Sequence, residues 1–158
     1  MANSIHVQLA DAIAAELNSA SRTWQQPAPL FAAGRSWQPW YTTTQQIEEL
    51  QVGPKVAVVP LTLENEWLAR NKHKWNYGVG IDVQQMFDLA DANTPAAMDL
   101  LDSVCQDIQD WFNDGHELTG MTGYVSLKAD RDEVYNPALL YADSIWETLL
   151  MVGVRGHR

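Results

Sequence analysis

The chain has 158 residues, 46% of them hydrophobic, and carries 20 Asp and Glu against 10 Lys and Arg, a formal charge of −10. That length fits one domain, able to bury roughly two thirds of its unfolded surface without disulfides or metals to hold it. The acidic balance argues against a phosphate-gripping surface, which needs clustered cations, and the longest basic run is Lys72-His73-Lys74.

The single cysteine, Cys105, excludes an internal disulfide and suits a reducing compartment. It falls within an apolar helical repeat, which predicts a buried structural thiol rather than a nucleophile. The N-terminus lacks a basic segment followed by a long apolar one, so no signal peptide is expected. No segment approaches the roughly 18 apolar residues of a membrane helix. Seven tryptophans exceed ordinary usage, and Trp serves both cores and interfaces.

Asn3 or Ser4 caps a first expected helix, Ile5 to about Asn18, on which Leu9, Ile13 and Leu17 recur four apart beside Ala10 and Ala14. Residues 22–30 hold two prolines and no period, so they read as a connector. In 31–41, Phe31, Ala33, Arg35, Trp37, Pro39 and Tyr41 share one parity, which predicts a strand with one heavy face and an edge position at Pro39. Thr44 caps a short helix through Leu50, Gly53-Pro54 is a turn, and Lys55 to Thr62 is a strand with Pro60 near its far end.

Residues 63–74 are polar and ambiguous. Trp75 to Gln85 alternates most clearly: Trp75, Tyr77, Val79, Ile81 and Val83 oppose Asn76, Gly78, Gly80, Asp82 and Gln84. The glycines suggest close approach by another strand or a neighbouring subunit. After an acidic loop, Asp88 to Asn93, Thr94-Pro95 opens a second helix with Met98, Leu101, Val104, Cys105, Ile108, Trp111 and Phe112 on one stripe, closed by Gly115. Strands are expected at Thr122 to Asp130 and Ser144 to Arg155, with a turn around Asn136-Pro137 between them. The predicted fold is a single α+β domain over 1–158 with a frayed C-terminal tail. Its mostly antiparallel sheet has about four to five strands and is packed by two main helices, in the order α-β-β-β-α-β-β with a short extra helix.

No chemistry-bearing motif emerges. The histidines His6, His73, His116 and His157 are scattered, without metal-ligand spacing, and phosphate-loop, nucleophile-elbow and zinc-protease patterns are absent. Asp130-Arg131-Asp132-Glu133 could supply paired carboxylates but reads more simply as a solvated turn, and Asp99, Asp102 and Asp110 read as the wet face of a helix. Neither catalysis nor a cofactor nor a metal is expected.

The helix SIHVQLADAIAAELN, the strand Arg35-x-Trp37-x-Pro39-x-Tyr41, VAVVP at 56–60, WNYGVGIDVQ, DSVCQDIQDWF, VYNPALL and SIWETLLMVGVRG, taken in this order, resemble tail-terminator and tail-completion (neck) proteins of long-tailed bacteriophages and prophages. The resemblance implies a structural virion protein of the tail or neck, assembled in the host cytoplasm. Such a subunit joins a hexameric ring at the head-proximal end of the tail tube, stops tube polymerisation and offers a joining surface to the head. Its partners would be further copies of itself, the tail tube protein and a head–tail connector or stopper. No membrane and no specific nucleic-acid binding is implied, although genomic DNA passes through the ring, where an acidic wall would not hold it.

Ring closure needs one patch meeting a different patch on the next subunit. The first candidate patch is Arg35, Trp37, Trp40 and Tyr41, and the second runs from Asn136 and Pro137 to Tyr141. Glu48, Glu49, Asp88 and Asp91 are candidates for charge facing the lumen or a partner. Three alternatives stay open: a head-closure or other neck protein, a monomeric acidic binding or inhibitor module, or an enzyme in which several of Asp82, Asp130, Asp132 and Glu133 converge in one pocket.

Overall fold

A computed structural model describes residues 4–37, 44–69 and 72–157 of the chain, with side chains at 4–37, 48–61 and 76–156. The helix α1 spans Ile5–Asn18 and is followed by a 3-10 turn at Thr23–Gln25 and the short strand β1, Ala33–Arg35. Then come α2 (Thr44–Val52), β2 (Lys55–Ala69), β3 (Lys72–Met86), α3 (Thr94–Asn113), β4 (Val125–Arg131), α4 (Pro137–Asp143) and β5 (Ile145–His157). The sheet order is β1-β2-β3-β5-β4, antiparallel except for the parallel β1–β2 pair, so the α+β reading with a mostly antiparallel sheet holds. Among the described residues no helix is long and apolar enough to cross a membrane.

Alternation along β3 sets the two faces. Tyr77, Val79, Ile81 and Val83 join Leu9, Ile13 and Leu17 of α1, Leu101, Cys105, Ile108 and Phe112 of α3 and Leu150, Val152 and Val154 of β5 in one continuous core. Cys105 is fully buried there, and burial pushes its thiol up to about 12, in keeping with the inert thiol the sequence suggested. The opposite face carries Gly78, Gly80, Asp82 and Gln84 and receives α2, whose Gln51 amide reaches the Met86 sulfur at 3.5 Å. Because β1 and β2 run parallel, the chain must cross between them, and α2 lies in that crossover.

Several boundaries differ from the sequence reading. The strand expected over 31–41 is described only at Ala33–Arg35, and Trp40 and Tyr41 lie outside the described residues. Its heavy parity is not a buried face: Phe31 is buried, whereas Arg35 and Trp37 stand in solvent at the sheet's margin. β2 does not stop at Thr62 but runs on to Ala69, and β3 begins at Lys72, the two paired from Leu63↔Tyr77 to Ala69↔Lys72. Pro60 is accommodated inside β2 by a register shift between Pro60 and Thr62.

In β4 a second shift between Ser126 and Lys128 breaks the alternation, burying Ser126 and Ala129 and leaving Leu127 exposed. The turn expected at Asn136-Pro137 is the start of α4. There Pro137 fits the first helical turn and the Asn136 side chain accepts from the Leu139 amide at 3.2 Å.

Two glycines of the inner strands, Gly80 and Gly156, are closely approached by side chains of neighbouring segments. A Cβ on Gly80 would lie 2.9 Å from a Leu61 methyl and 3.3 Å from one of Leu149, the residues flanking it on β2 and β5. At Gly156 the Tyr124 ring lies across the backbone, and a Cβ would come within 2.3 Å of it, while the same ring packs on Tyr77 at 5.9 Å between centroids. The rigid ring, unlike a leucine methyl, has no small rotation that clears the clash.

One polar tie closes the helical layer. Glu16, 3% exposed on α1, accepts from Arg22 at 2.6 Å and from the Thr119 backbone N–H at 3.0 Å, and Arg22 in turn stacks over Trp111. Burial alone would raise the Glu16 carboxyl, but the hydrogen bonds from Thr119 and Arg22 outweigh it and hold the group below its usual 4.5.

Two outcomes are expected. Gly156→Ala should destabilise the fold by about 1–3 kcal/mol, measured by urea denaturation, and an unchanged midpoint would refute the crowding. Glu16→Gln should cost roughly 1.5–3 kcal/mol at pH 7. Because the Glu16 carboxyl is depressed, its contribution is complete above the unfolded value and fades as pH falls through the folded one. The variant and the parent should therefore converge at acid pH, and an equal gap at pH 3 and pH 7 would disprove the tie.

Candidate functional site

The face of the sheet beneath α2 concentrates the unusual chemistry. β-Pairing sets Ala57, Asp82 and Leu149 in one row across β2, β3 and β5, and Lys55, Gln84 and Glu147 in the next. Asp82 is 1% exposed, Gln84 2% and Glu147 7%, so three polar side chains lie inside a face whose other buried members include Leu50, Ala57 and Val59. The Gln84 amide donates to the Glu147 carboxylate, and the Asn136 backbone N–H donates to the Glu147 carbonyl at 2.9 Å.

Asp82 and Glu147 face each other diagonally. Carboxylates are acceptors only, so neither Asp82 oxygen finds a donor among the described residues, and the Gln84 Oε1 is likewise unpaired. Burial, then the charge of Glu147 and its hydrogen bond, push Asp82 up to about 9. Burial also raises Glu147, against hydrogen bonds to Gln84, Asp82 and Asn136 that lower it. A carboxyl with a raised value favours the folded state most at low pH, and that advantage is lost as pH rises from the unfolded value towards the folded one.

Glu147 is the link to solvent, since with Asp132, Glu133, Asn136, Thr148 and Leu149 it lines a pocket of about 280 Å³. Of the carboxylates whose convergence would mark an enzyme, only Asp132 and Glu133 share this pocket. Asp82 lies buried behind Glu147, and Asp130 pairs with Lys128 at 2.7 Å beside a separate depression. Arg131, read from sequence as part of a solvated turn, points into the helical layer instead. It donates to Thr148 at 2.9 Å, to the Val134 carbonyl at 2.6 Å and to Asp102. Among the described residues no three His, Cys, Asp or Glu side chains are grouped as metal ligands.

The interface candidates divide between two flanks. On β1, Arg35 is held by Asp11 of α1 at 2.9 Å and lies 5.7 Å from the centre of the Trp37 ring, and Trp37 is 66% exposed. On the far side of β2 and β3, α4 presents Tyr141 at 75% exposure with Asn136 and Pro137 at its start. Tyr141, Val134 and Leu89 rim a groove of about 460 Å³ between α4 and the first turns of α3. Asp88 and Asp91 bracket Leu89 there, each fixed by accepting from a backbone N–H two residues on. Glu48 and Glu49 are exposed on α2, and Glu49 stands 3.6 Å from Lys55. The described residues of the first patch, Arg35 and Trp37, thus lie on a different flank from the second.

The chain matches no protein-family model and no curated protein. Sequence reasoning had singled out Asp82 only as one of several loose carboxylates and had missed Glu147 and Gln84. An acid on the alternate face of a strand looks solvated until another layer covers it.

Removing the Asp82 charge should stabilise the protein where ionisation is most costly. In chelator-containing buffer, Asp82→Asn is expected to raise Tm by roughly 3–8 °C at pH 8, with the gain shrinking towards pH 5. A loss of stability at pH 8 would show that the ionised group is needed.

Proposed function

We propose that this chain is a structural assembly subunit of the tail-completion class. In this reading, copies form a ring that caps the head-proximal end of a long-tailed phage tail tube and provide the head–tail joining surface. The order of its sequence blocks supports the class. The observation that carries an assembly role is the pair Arg35–Trp37: a large ring kept in water just past the short margin strand, 5.7 Å from a guanidinium that Asp11 holds. Trp and Arg are among the side chains that most often dominate protein–protein contacts. A second exposed aromatic surface at Tyr141, on the other flank, gives the different patch that a head-to-tail ring requires. The function is steric: occupying the open end of the tube blocks the next ring without making or breaking a bond.

Native mass spectrometry across a concentration series tests this. A discrete hexamer, or a climb towards one, is the expected result, and Trp37→Ala should weaken assembly by about thirtyfold while leaving the fold intact. A monomer at every concentration that also fails to bind purified tail tubes would sink the proposal and favour an acidic binding module.

A further inference from the structure

The buried acceptors under α2 carry an inference separate from assembly. Asp82 has two carboxylate oxygens and Gln84 one amide oxygen, all buried and all without a donor among the described residues. A proton shared between Asp82 and Glu147 would satisfy one contact between those two groups. It would leave the Gln84 oxygen and the outer Asp82 oxygen as they are, at the usual cost of buried unpaired polar atoms.

A hard cation would engage all of them, because it prefers oxygen ligands and compensates two facing carboxylates at once. Among the described residues no side-chain cation is placed to do this. Lys55, opposite Gln84 on β2, is paired with Glu49, Arg131 is directed into the helical layer, and Lys128 is paired with Asp130.

We propose that Asp82, Glu147 and the Gln84 side-chain carbonyl form a binding site for a hard divalent cation of the calcium class, reached through the pocket walled by Asp132 and Glu133. Gln84 serves twice, its N–H orienting the Glu147 carboxylate while its oxygen faces the ion. The 280 Å³ pocket admits water to complete the roughly six to eight oxygen ligands that calcium takes. The carboxylates of Asp132 and Glu133 at its wall draw the ion inwards.

The test uses the untagged full chain, stripped with EDTA and dialysed, then titrated with CaCl2 by calorimetry and thermal unfolding. One ion per chain and a Tm rise of about 5 °C at saturation are expected. Asp82→Asn should abolish the calorimetric signal, Glu147→Gln should weaken binding at least tenfold, and Asp130→Asn, outside the pocket, should behave as the parent. Absence of one-to-one binding to the folded parent overturns the proposal whether or not either variant folds. So does an equal Tm rise in parent and Asp82→Asn, which would mark diffuse counter-ion attraction to an acidic chain.

Discussion

Pairing between β3 and β5 runs for thirteen residues, from Lys74↔His157 to Met86↔Ile145, and places both strands in the middle of the sheet with helices on either side. Where α2 covers β3 the strand has no wet face, so each of its two parities there must meet a packing demand. On the α1–α3 side β3 answers with Tyr77, Val79, Ile81 and Val83. On the α2 side it answers with Gly80, over whose backbone Leu61 and Leu149 close, and with Asp82 and Gln84, whose polarity must be neutralised within the protein. The carboxylate pair follows from this constraint, because covering the second face converts an ordinary surface acid into a buried one.

How much of this was legible in sequence depended on whether a pattern was local. The spacing of Leu9, Ile13 and Leu17 and that of Leu101, Cys105, Ile108 and Phe112 located α1 and α3, because a helix shows its buried stripe within its own residues. The strand segments 63–69 and 72–74 were hidden, since their residues are polar and their strand character comes from partners in β2, β3 and β5. Trp37 was placed with the heavy parity of its strand, but a margin strand only three residues long gives alternation little to bury. The short α4 was masked by Asn136-Pro137, a pair that suits a turn and a helix start equally well. The polar site was unreadable for a similar reason: Asp82 and Glu147 are 65 positions apart and meet only through the β3–β5 register.

Charge and shape are distributed with a clear division. Arg35 is tied to Asp11 and Arg131 to Asp102, so part of the small cationic complement fastens strands to helices rather than forming a basic face. Much of what remains outside is acidic or aromatic, including Asp88, Asp91, Glu48 and Glu49 together with Trp37 and Tyr141. Such a surface suits contact through aromatic anchors within a negatively charged surround, the arrangement the ring proposal uses.

Side-chain amides blunt both margins of the sheet. Asn18 of α1 takes both the N–H and the carbonyl of Ala33 on β1. At the other margin Asn113 and Gln109 of α3 do the same for Ala129 on β4. Backbone groups engaged in this way cannot recruit a new strand, which is how a protein guards its edges against uncontrolled pairing. Among the described residues, the stretch of β2 beyond the β1 contact has no strand paired on its outer side. Two copies joined there would pair like with like about a dyad, an isologous closure that ends at two subunits. A larger closed ring suits side-chain contacts of the kind Trp37 and Tyr141 offer rather than that self-pairing.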